Sequence, residues 1–474
     1  MTHAATAPSA AQDQSGFRRE LKLLDATNLV VGTMIGSGIF IVSADIARQL
    51  GSPGWLLLVW LVSGILTMLG ALAYAELAAA MPKAGGQYVF LRDGLGPLPG
   101  FLYGWTMFMV IQTGTIAAVA VAFSRFLGVF LPAVSPDVFL SLGRLPMPGG
   151  AVELGLSPQR LVGIGVIAVL TLVNVSGVRE AKWVQNVFTI AKTGALVGLV
   201  LLGLTIGRHA DALSANFGAG MFDAVPVGSA LVLAFSAAMV GALFSADSWN
   251  NVTFAAAEVR QPERNLPRAL ALGTGFVTML YLLANLAYLS VLTLPEIQNA
   301  PQDRVATLAM QHMFGDVGQY LMAAAILVST FGCINGLVLS GARVFYAMAR
   351  DGLFFARAGV LSASRHVPAW ALLAQGIWTA CLTLTGTYGQ LLDYVIFANL
   401  IFYALTTLAL FRLRRTRPDL PRPYRAIGYP ALPGIYMIAA TALAIALLFA
   451  KPVYTFSGLA LVVLGIPVYY LWRR

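Results

Sequence analysis

Gly32-Thr33-Met34-Ile35-Gly36-Ser37-Gly38-Ile39-Phe40 puts three glycines and a serine in the middle of the first apolar stretch of the chain. A glycine costs a helix interior about 1 kcal/mol relative to alanine, so the run predicts a helix that stops and restarts. Inside a bilayer such backbone survives only where it is buried in protein or lines a cavity. A stub ending near Ile35 leaves carbonyls free, and one restarting near Ile39 leaves N–H groups free. The first attract a cation and the second an anion, so the break suits a zwitterion, such as the α-ammonium and α-carboxylate of an amino acid. Gly36, Ser37 and Gly38 are small enough to let a carboxylate approach the backbone. The competing reading is helix packing, because Gly32 and Gly36 have GxxxG spacing; Gly-Ser-Gly on consecutive positions exceeds what packing needs. A comparable interruption, Ser245-Ala246-Asp247-Ser248, lies within Leu231–Val259. Two interrupted helices in corresponding halves of a polytopic chain point to a transporter's binding site.

Two charges stand alone in apolar surroundings. Asp247 sits in the second interruption, and an intramembrane carboxylate is expensive and functional by default. It could pair with a cationic substrate side chain, carry a proton, or cap the restarting helix by accepting N–H bonds from Trp249 and Asn250. Lys192, in Phe188–Gly194, is either a fixed internal cation or a lysine that snorkels to the interface. Glu76 and Glu258, near Lys83, Arg260 and Arg264, read as inner-gate or structural ion pairs. Asn399, Gln112 and Thr113 are weaker candidates for lining the route or the pocket.

The elements that must hold these residues are membrane spans. Of 474 residues 58% are hydrophobic and 11% charged, with mean hydropathy +0.78, whereas soluble domains carry about 25% charged residues. Apolar runs long enough to cross a bilayer fall near 26–50, 54–80, 97–127, 159–178, 186–207, 229–259, 266–292, 315–349, 367–386, 391–412, 431–449 and 455–472. The eighth is long and is expected to end in an amphipathic turn on the inner side. With the N-terminus inside, 22 of the 30 Lys and Arg residues fall on inner segments and seven on outer ones. That asymmetry orients the chain with both termini cytoplasmic and accounts for the net charge of +10 without nucleic acid. The polar first 16 residues have no apolar core and read as a short tail, not a cleaved signal peptide. Cys333 and Cys381 lie in apolar segments and read as buried packing residues. The four histidines are unclustered, so no metal site is expected. No phosphate-binding loop or catalytic cluster of His, Asp and Glu is present, so neither a cofactor nor an enzyme activity is expected. The connection Leu131–Pro158 is rich in Pro and Gly and should pack over the outer face.

Gly32–Phe40 resembles the first-span motif of the amino acid–polyamine–organocation superfamily. Asp247-Ser248-Trp249-Asn250-Asn251, Glu258 and Asn265-Leu266-Pro267-Arg268-Ala269 resemble its L-type amino acid transporter branch. Tyr74–Leu77, Pro82–Gly86, Asn335-Gly336, Arg343–Tyr346 and Arg417–Tyr424 match in the same order, so the resemblance runs from about residue 20 to 450. It implies an all-α membrane protein of about twelve transmembrane helices with the leucine-transporter-type fold: a 5+5 inverted repeat with broken helices 1 and 6. The divisions expected are a tail at 1–24, a transport core at 25–412 (repeats 25–207 and 229–412), and 413–474 with helices 11 and 12. Carried onto this chain, the substrate site takes in Met34, Ile35, Gly36, Ser37, Gly38, Ile39, Phe244, Asp247 and Ser248. The carboxylate falls on the Ser37 and Gly38 amides and the ammonium on carbonyls near Met34, Phe244 and Asp247. Phe244 matches the aromatic gate that closes over the substrate from outside. Lys192 matches a lysine whose ammonium stands where sodium-coupled cousins bind sodium. For Asp247 the resemblance favours a cap or a bundle contact. The function implied is sodium-independent exchange of neutral L-amino acids by alternating access. Proton-coupled symport and cationic amino acid or polyamine transport are the alternatives, with a non-transporting nutrient receptor more remote. The expected location is the plasma or inner membrane. No outer-loop cysteine is available for a disulfide to a partner chain, so no obligatory partner is expected.

Overall fold

The computed structural model describes residues 19–147, 150–223, 227–385 and 388–472. Most of the expected tail (residues 1–18) and Arg473 and Arg474 lie outside the described residues. Helices α1 (Leu23–Met34) and α2 (Gly38–Leu50) make the first crossing and α3 (Pro53–Ala80) the second. After α4 (Gln87–Leu95), α5 (Pro97–Thr106) passes through a π-turn at Met107–Ile111 into α6 (Gln112–Leu127). Strands β1 (Leu140–Met147) and β2 (Gly150–Leu156) pair antiparallel before α7 (Pro158–Ser176), α8 (Val178–Leu204) and the short α9 (Ala210–Asn216). The second set opens with α10 (Ser229–Ser245) and α11 (Asn251–Phe254). It continues with α12 (Pro262–Val291), α13 (Leu294–Gln298), α14 (Val305–Arg350), α15 (Ala369–Thr383) and α16 (Tyr388–Thr416). α17 (Ala431–Ala450) and α18 (Pro452–Trp472) end the chain.

Among the described residues ten helices are long and apolar enough to span, and α10 and α15 are shorter apolar helices, matching the twelve expected crossings. The chain is a multi-pass integral membrane protein. Twelve crossings bring both chain ends to one side, the terminal face, opposite a far face. The first crossing is the innermost: 94% of its apolar window is buried, against 33% for α7, α17 and α18, which meet lipid.

The breaks fall where the glycines and Asp247 stand. α1 ends at Met34 and α2 begins at Gly38; α10 ends at Ser245, and Ser248 takes φ +66° before α11. The glycines serve close approach as well as helix breaking. A Cβ on Gly36 would lie 3.1 Å from Cys333 Sγ. One on Gly38 would lie 2.1 Å from Ser245 Oγ and 2.9 Å from Ser245 Cα, so the two breaks touch through it.

One expectation, the burial of Cys381, needs correction. The outer connection contains strands β1 and β2, paired antiparallel in an otherwise helical protein. The eighth span starts at Gly315 as expected, where a kink (φ +62°) joins it to a preceding helix from Val305. It runs on to Arg350 and is followed by a 3-10 turn at Ala356–Gly359. Cys381 is exposed, because it continues the lipid-facing stripe of Leu373 and Ile377 at helical spacing; Cys333 is buried as expected.

Gly38→Ala drives a methyl group into the Ser245 backbone and is expected to cost about 1–3 kcal/mol of stability. The thermal midpoint of the solubilised chain checks this, and Ser245→Gly should restore only part of the loss, because the backbone contact remains.

Candidate functional site

A helix break inside a membrane leaves backbone groups that must find partners, and the carbonyls of the first break do so from three spans. Lys192 on α8, fully buried, donates its amine to Gly32 O and to Ile35 O, the latter at 2.7 Å. Cys333 Sγ on α14 lies 3.3 Å from Thr33 O, and Ser329 Oγ reaches Gly36 O at 3.4 Å. Tyr281 Oη on α12 donates to Met34 O at 2.9 Å and lies 3.0 Å from Ser245 O, bridging the two breaks. Thr33 Oγ1 on α1 donates to Ser248 O at 3.0 Å, making a second bridge. The first N–H groups of α2, at Gly38 and Ile39, have no intrahelical acceptor because a helix start never supplies one. The carbonyls are thus tied down, and the start of α2 is the end of a helix that attracts anions.

Met34, Ile35, Gly36, Ser37, Gly38, Ile39, Phe244 and Ser248 are all buried and gathered where the breaks meet. Ser37 Oγ shares a hydrogen bond of 3.1 Å with Tyr388 Oη on α16. The Phe244 ring stands edge-on to Tyr388 with centroids 6.0 Å apart. The Arg125 guanidinium covers the other ring at 5.5 Å, donates to Gln302 O at 3.0 Å and lies 3.6 Å from Asp303, which also binds Arg48 at 2.8 Å. This stack closes the far side. Toward the terminal face, Trp249 packs on Tyr74 (4.8 Å) and Tyr403 (5.5 Å). Asn250 donates to Gln87, which donates to Thr406. Below them Arg343 and Glu258 form an ion pair at 3.0 Å, both almost wholly buried.

Several candidates find partners that the sequence did not specify. Of the cap and the helix contact expected for Asp247, the cap is absent: the N-cap of α11 is Asn250, without a side-chain bond, while the Asp247 carboxylate accepts from Asn399 Nδ2 at 2.9 Å and from Tyr403 Oη on α16. The bend at Ser248 turns it toward that helix. Glu76 does form ion pairs, but with Arg414 (2.5 Å) and Arg422 (3.3 Å), and Glu258 with Arg343, not with Lys83, Arg260 or Arg264. Gln112 donates to Leu337 O, and Thr113 donates within its own helix to Phe108 O, the irregularity opened by the π-turn.

The sequence reading missed Tyr281, Asn285 and Tyr288, although their i, i+4, i+7 spacing marks one polar face of α12. All three serve the first crossing: Asn285 accepts from Ser43 at 2.6 Å and Tyr288 donates to Ile39 O at 3.2 Å. Tyr281→Phe deletes the hydroxyl that bridges the breaks and should cost about 1–3 kcal/mol. A thermal midpoint unchanged from wild type would show that the bridge bears no load.

A family model for amino acid permeases matches residues 21–470. The chain is 33% identical to large neutral amino acids transporter small subunit 2 of Mus musculus, over 98% of this chain and 84% of that protein. It is 32% identical to the Homo sapiens protein of the same name over 96% and 80%. It is also 30% identical to b(0,+)-type amino acid transporter 1 of Mus musculus, over 97% and 88%. With two helix breaks joined at one buried point and a match along nearly its whole length, this chain belongs to the amino acid permease family.

Proposed function

We propose that this protein exchanges neutral L-amino acids across the membrane by alternating access, without sodium. The observation that carries the proposal is the abutment of the two breaks, bridged by Tyr281 and by Thr33, with the start of α2 aimed into the junction. The substrate carboxylate would take the N–H groups from Gly36 to Ile39. Its ammonium would take carbonyl lone pairs at Met34 and the end of α10, each carbonyl having two. Phe244, edge-on to Tyr388, would be the outer gate. The relatives named above are amino acid transporters, two of them of large neutral amino acids. Neutral substrates are favoured over cationic amino acids and polyamines because the Asp247 carboxylate is engaged by α16.

Lys192 supports independence from sodium. Its amine already lies on the Gly32 and Ile35 carbonyls, where a bound cation would otherwise be held by an unwound helix end. The arginine distribution supports a cytoplasmic terminal face in a plasma or inner membrane. Residues 25–207 and 229–412 would form the inverted repeats, with α17 and α18 outside them. Two of the relatives are named small subunits. We nevertheless assign activity to this chain alone, because its two cysteines lie within α14 and α15 and leave the outer loops without a disulfide anchor.

The test is uptake of labelled alanine, leucine and arginine into proteoliposomes holding this chain alone, in sodium-free buffer, with and without internal amino acid. Alanine or leucine uptake that requires internal amino acid is expected; uptake into empty vesicles, or a preference for arginine, would refute the proposal. Lys192→Ala strands the Gly32 carbonyl and leaves that of Ile35 only Ser329 Oγ at 3.5 Å, so it should slow exchange roughly tenfold or more, as an unsatisfied buried group costs about 1–3 kcal/mol. Exchange at the wild-type rate would remove Lys192 from the mechanism.

A further inference from the structure

Four carboxylates are buried among the described residues: Glu76, Asp247, Glu258 and Asp393. Three have a cationic partner: Glu76 has Arg414 and Arg422, Glu258 has Arg343, and Asp393 has Lys451 at 2.6 Å. Asp247, 6% exposed, has as side-chain donors only the neutral Asn399 and Tyr403, with the Ser248 backbone N–H donating as well. The other titratable groups that face it are phenols. Tyr74 on α3 is in ring contact with Trp249 and Tyr403, Tyr103 on α5 is within electrostatic reach, and Tyr436 on α17 shares a cavity with it. No arginine, lysine or histidine among the described residues forms an ion pair with it. An uncompensated carboxylate in such a place is costly enough that it takes up a proton or recruits a cation.

The surroundings favour the proton. The adjoining cavity has a volume of about 20 Å³, enough for about one water. Its walls set Leu66, Leu243, Ile396 and Leu400 beside Thr67, Asn399, Tyr403 and Tyr436, and Asp247 is the one charged group among them, so a metal cation would have to give up its hydration shell for a single carboxylate in a space of about one water. The two donors suit either state of the acid. A tyrosine hydroxyl donates to a carboxylate and accepts from a carboxylic acid, while the Asn399 amide donates to the remaining oxygen in both. Asp247 also belongs to the unwound segment itself, next to Ser248, whose carbonyl holds Thr33 of the first break. A change in its hydration is therefore a change at the junction.

We propose that Asp247 is a proton-binding site that holds a proton while the breaks are closed against α16 and releases it when they separate. On release the carboxyl O–H bond breaks, the proton passes to water entering the cavity, and the carboxylate stays hydrated until the junction closes and the O–H bond re-forms. Because each leg of an exchange cycle closes with a proton and opens without one, no net proton movement is required. Acid conditions would speed closure on both legs. This inference rests on the exchange reading for its consequence but not for its chemistry.

The experiment uses the full chain in liposomes. Infrared spectra of wild type and Asp247→Asn are compared across a pH series, and alanine counterflow is measured in the same vesicles. A protonated-carboxyl C=O band is expected in wild type at low pH, lost as pH rises and absent from Asp247→Asn. Counterflow should fall about tenfold per pH unit above that transition, the slope of one required proton, and be flat in Asp247→Asn. Tyr403→Phe, which keeps the acid and removes one partner, should move the band, so the proposal remains testable if Asp247→Asn does not fold. A spectrum without the band at any pH, a band unmoved in Tyr403→Phe, a carboxylate signal that follows sodium, or an Asp247→Asn counterflow profile matching wild type would each overturn it. Absence of counterflow with alanine, leucine and arginine at every pH would refute exchange instead, while the infrared arm still decides the proton site.

Discussion

The structure depends on one constraint: a helix that stops inside an apolar solvent must hand every freed carbonyl to a donor. Five successive carbonyls, from Gly32 to Gly36, meet that demand with side chains from α8, α12 and α14. The arrangement is asymmetric in chemistry. Carbonyls are bonded to the protein, whereas the N–H groups at the start of α2 are left for whatever enters the junction. A break serviced in this way behaves as a fixed fitting, held from three sides.

The two closures differ in strength. On the far side the seal is a stack of rings under partly exposed ion pairs among Arg125, Asp303 and Arg48, and such pairs contribute about 0–1 kcal/mol each. On the terminal side the seal contains Trp249 within a cluster of tyrosines and the buried Glu258–Arg343 pair. Separating a buried pair without replacing a partner costs about 3–5 kcal/mol. The far side is therefore the cheaper of the two to open, and the terminal side requires water to follow the charges as they part.

The positions of both breaks were legible because glycine, serine and an isolated aspartate have no place in a simple span. The twelve crossings were legible because the solvent is lipid and the chain must be apolar over that length. Pairings across space were not. Glu76 lies seven residues from Lys83 in sequence yet binds Arg414 at the end of α16 and Arg422 in the loop after it. Asp247 was seen as an anomaly, but its partners Asn399 and Tyr403 sit about 150 residues further on, where nothing local points back to it. The π-turn at Met107–Ile111 carries no glycine or proline to mark it. Tyr281, Asn285 and Tyr288 could have been found, since three polar groups at helical spacing in a span demand an explanation; what they serve became plain only once α12 lay against the first crossing.

The segment just ahead of α1 has its own consequence. Glu20 and Leu21 donate backbone N–H groups to Glu258 O at 2.9 Å, and Arg260 N returns to Leu21 O at 2.8 Å, so a short β-bridge fastens the start of the first half to the end of the broken crossing that opens the second. Its strength comes from main chain, not side chains, so most substitutions there leave it intact. Proline is the exception, since it removes the donor outright. The bridge is a clasp made of main chain alone, and none of its bonds involves the residues of the junction. Whatever seizes the residues before Glu20, such as a binding protein, a fused domain or a modifying group, can hold the clasp shut or pry it loose without touching the cargo site.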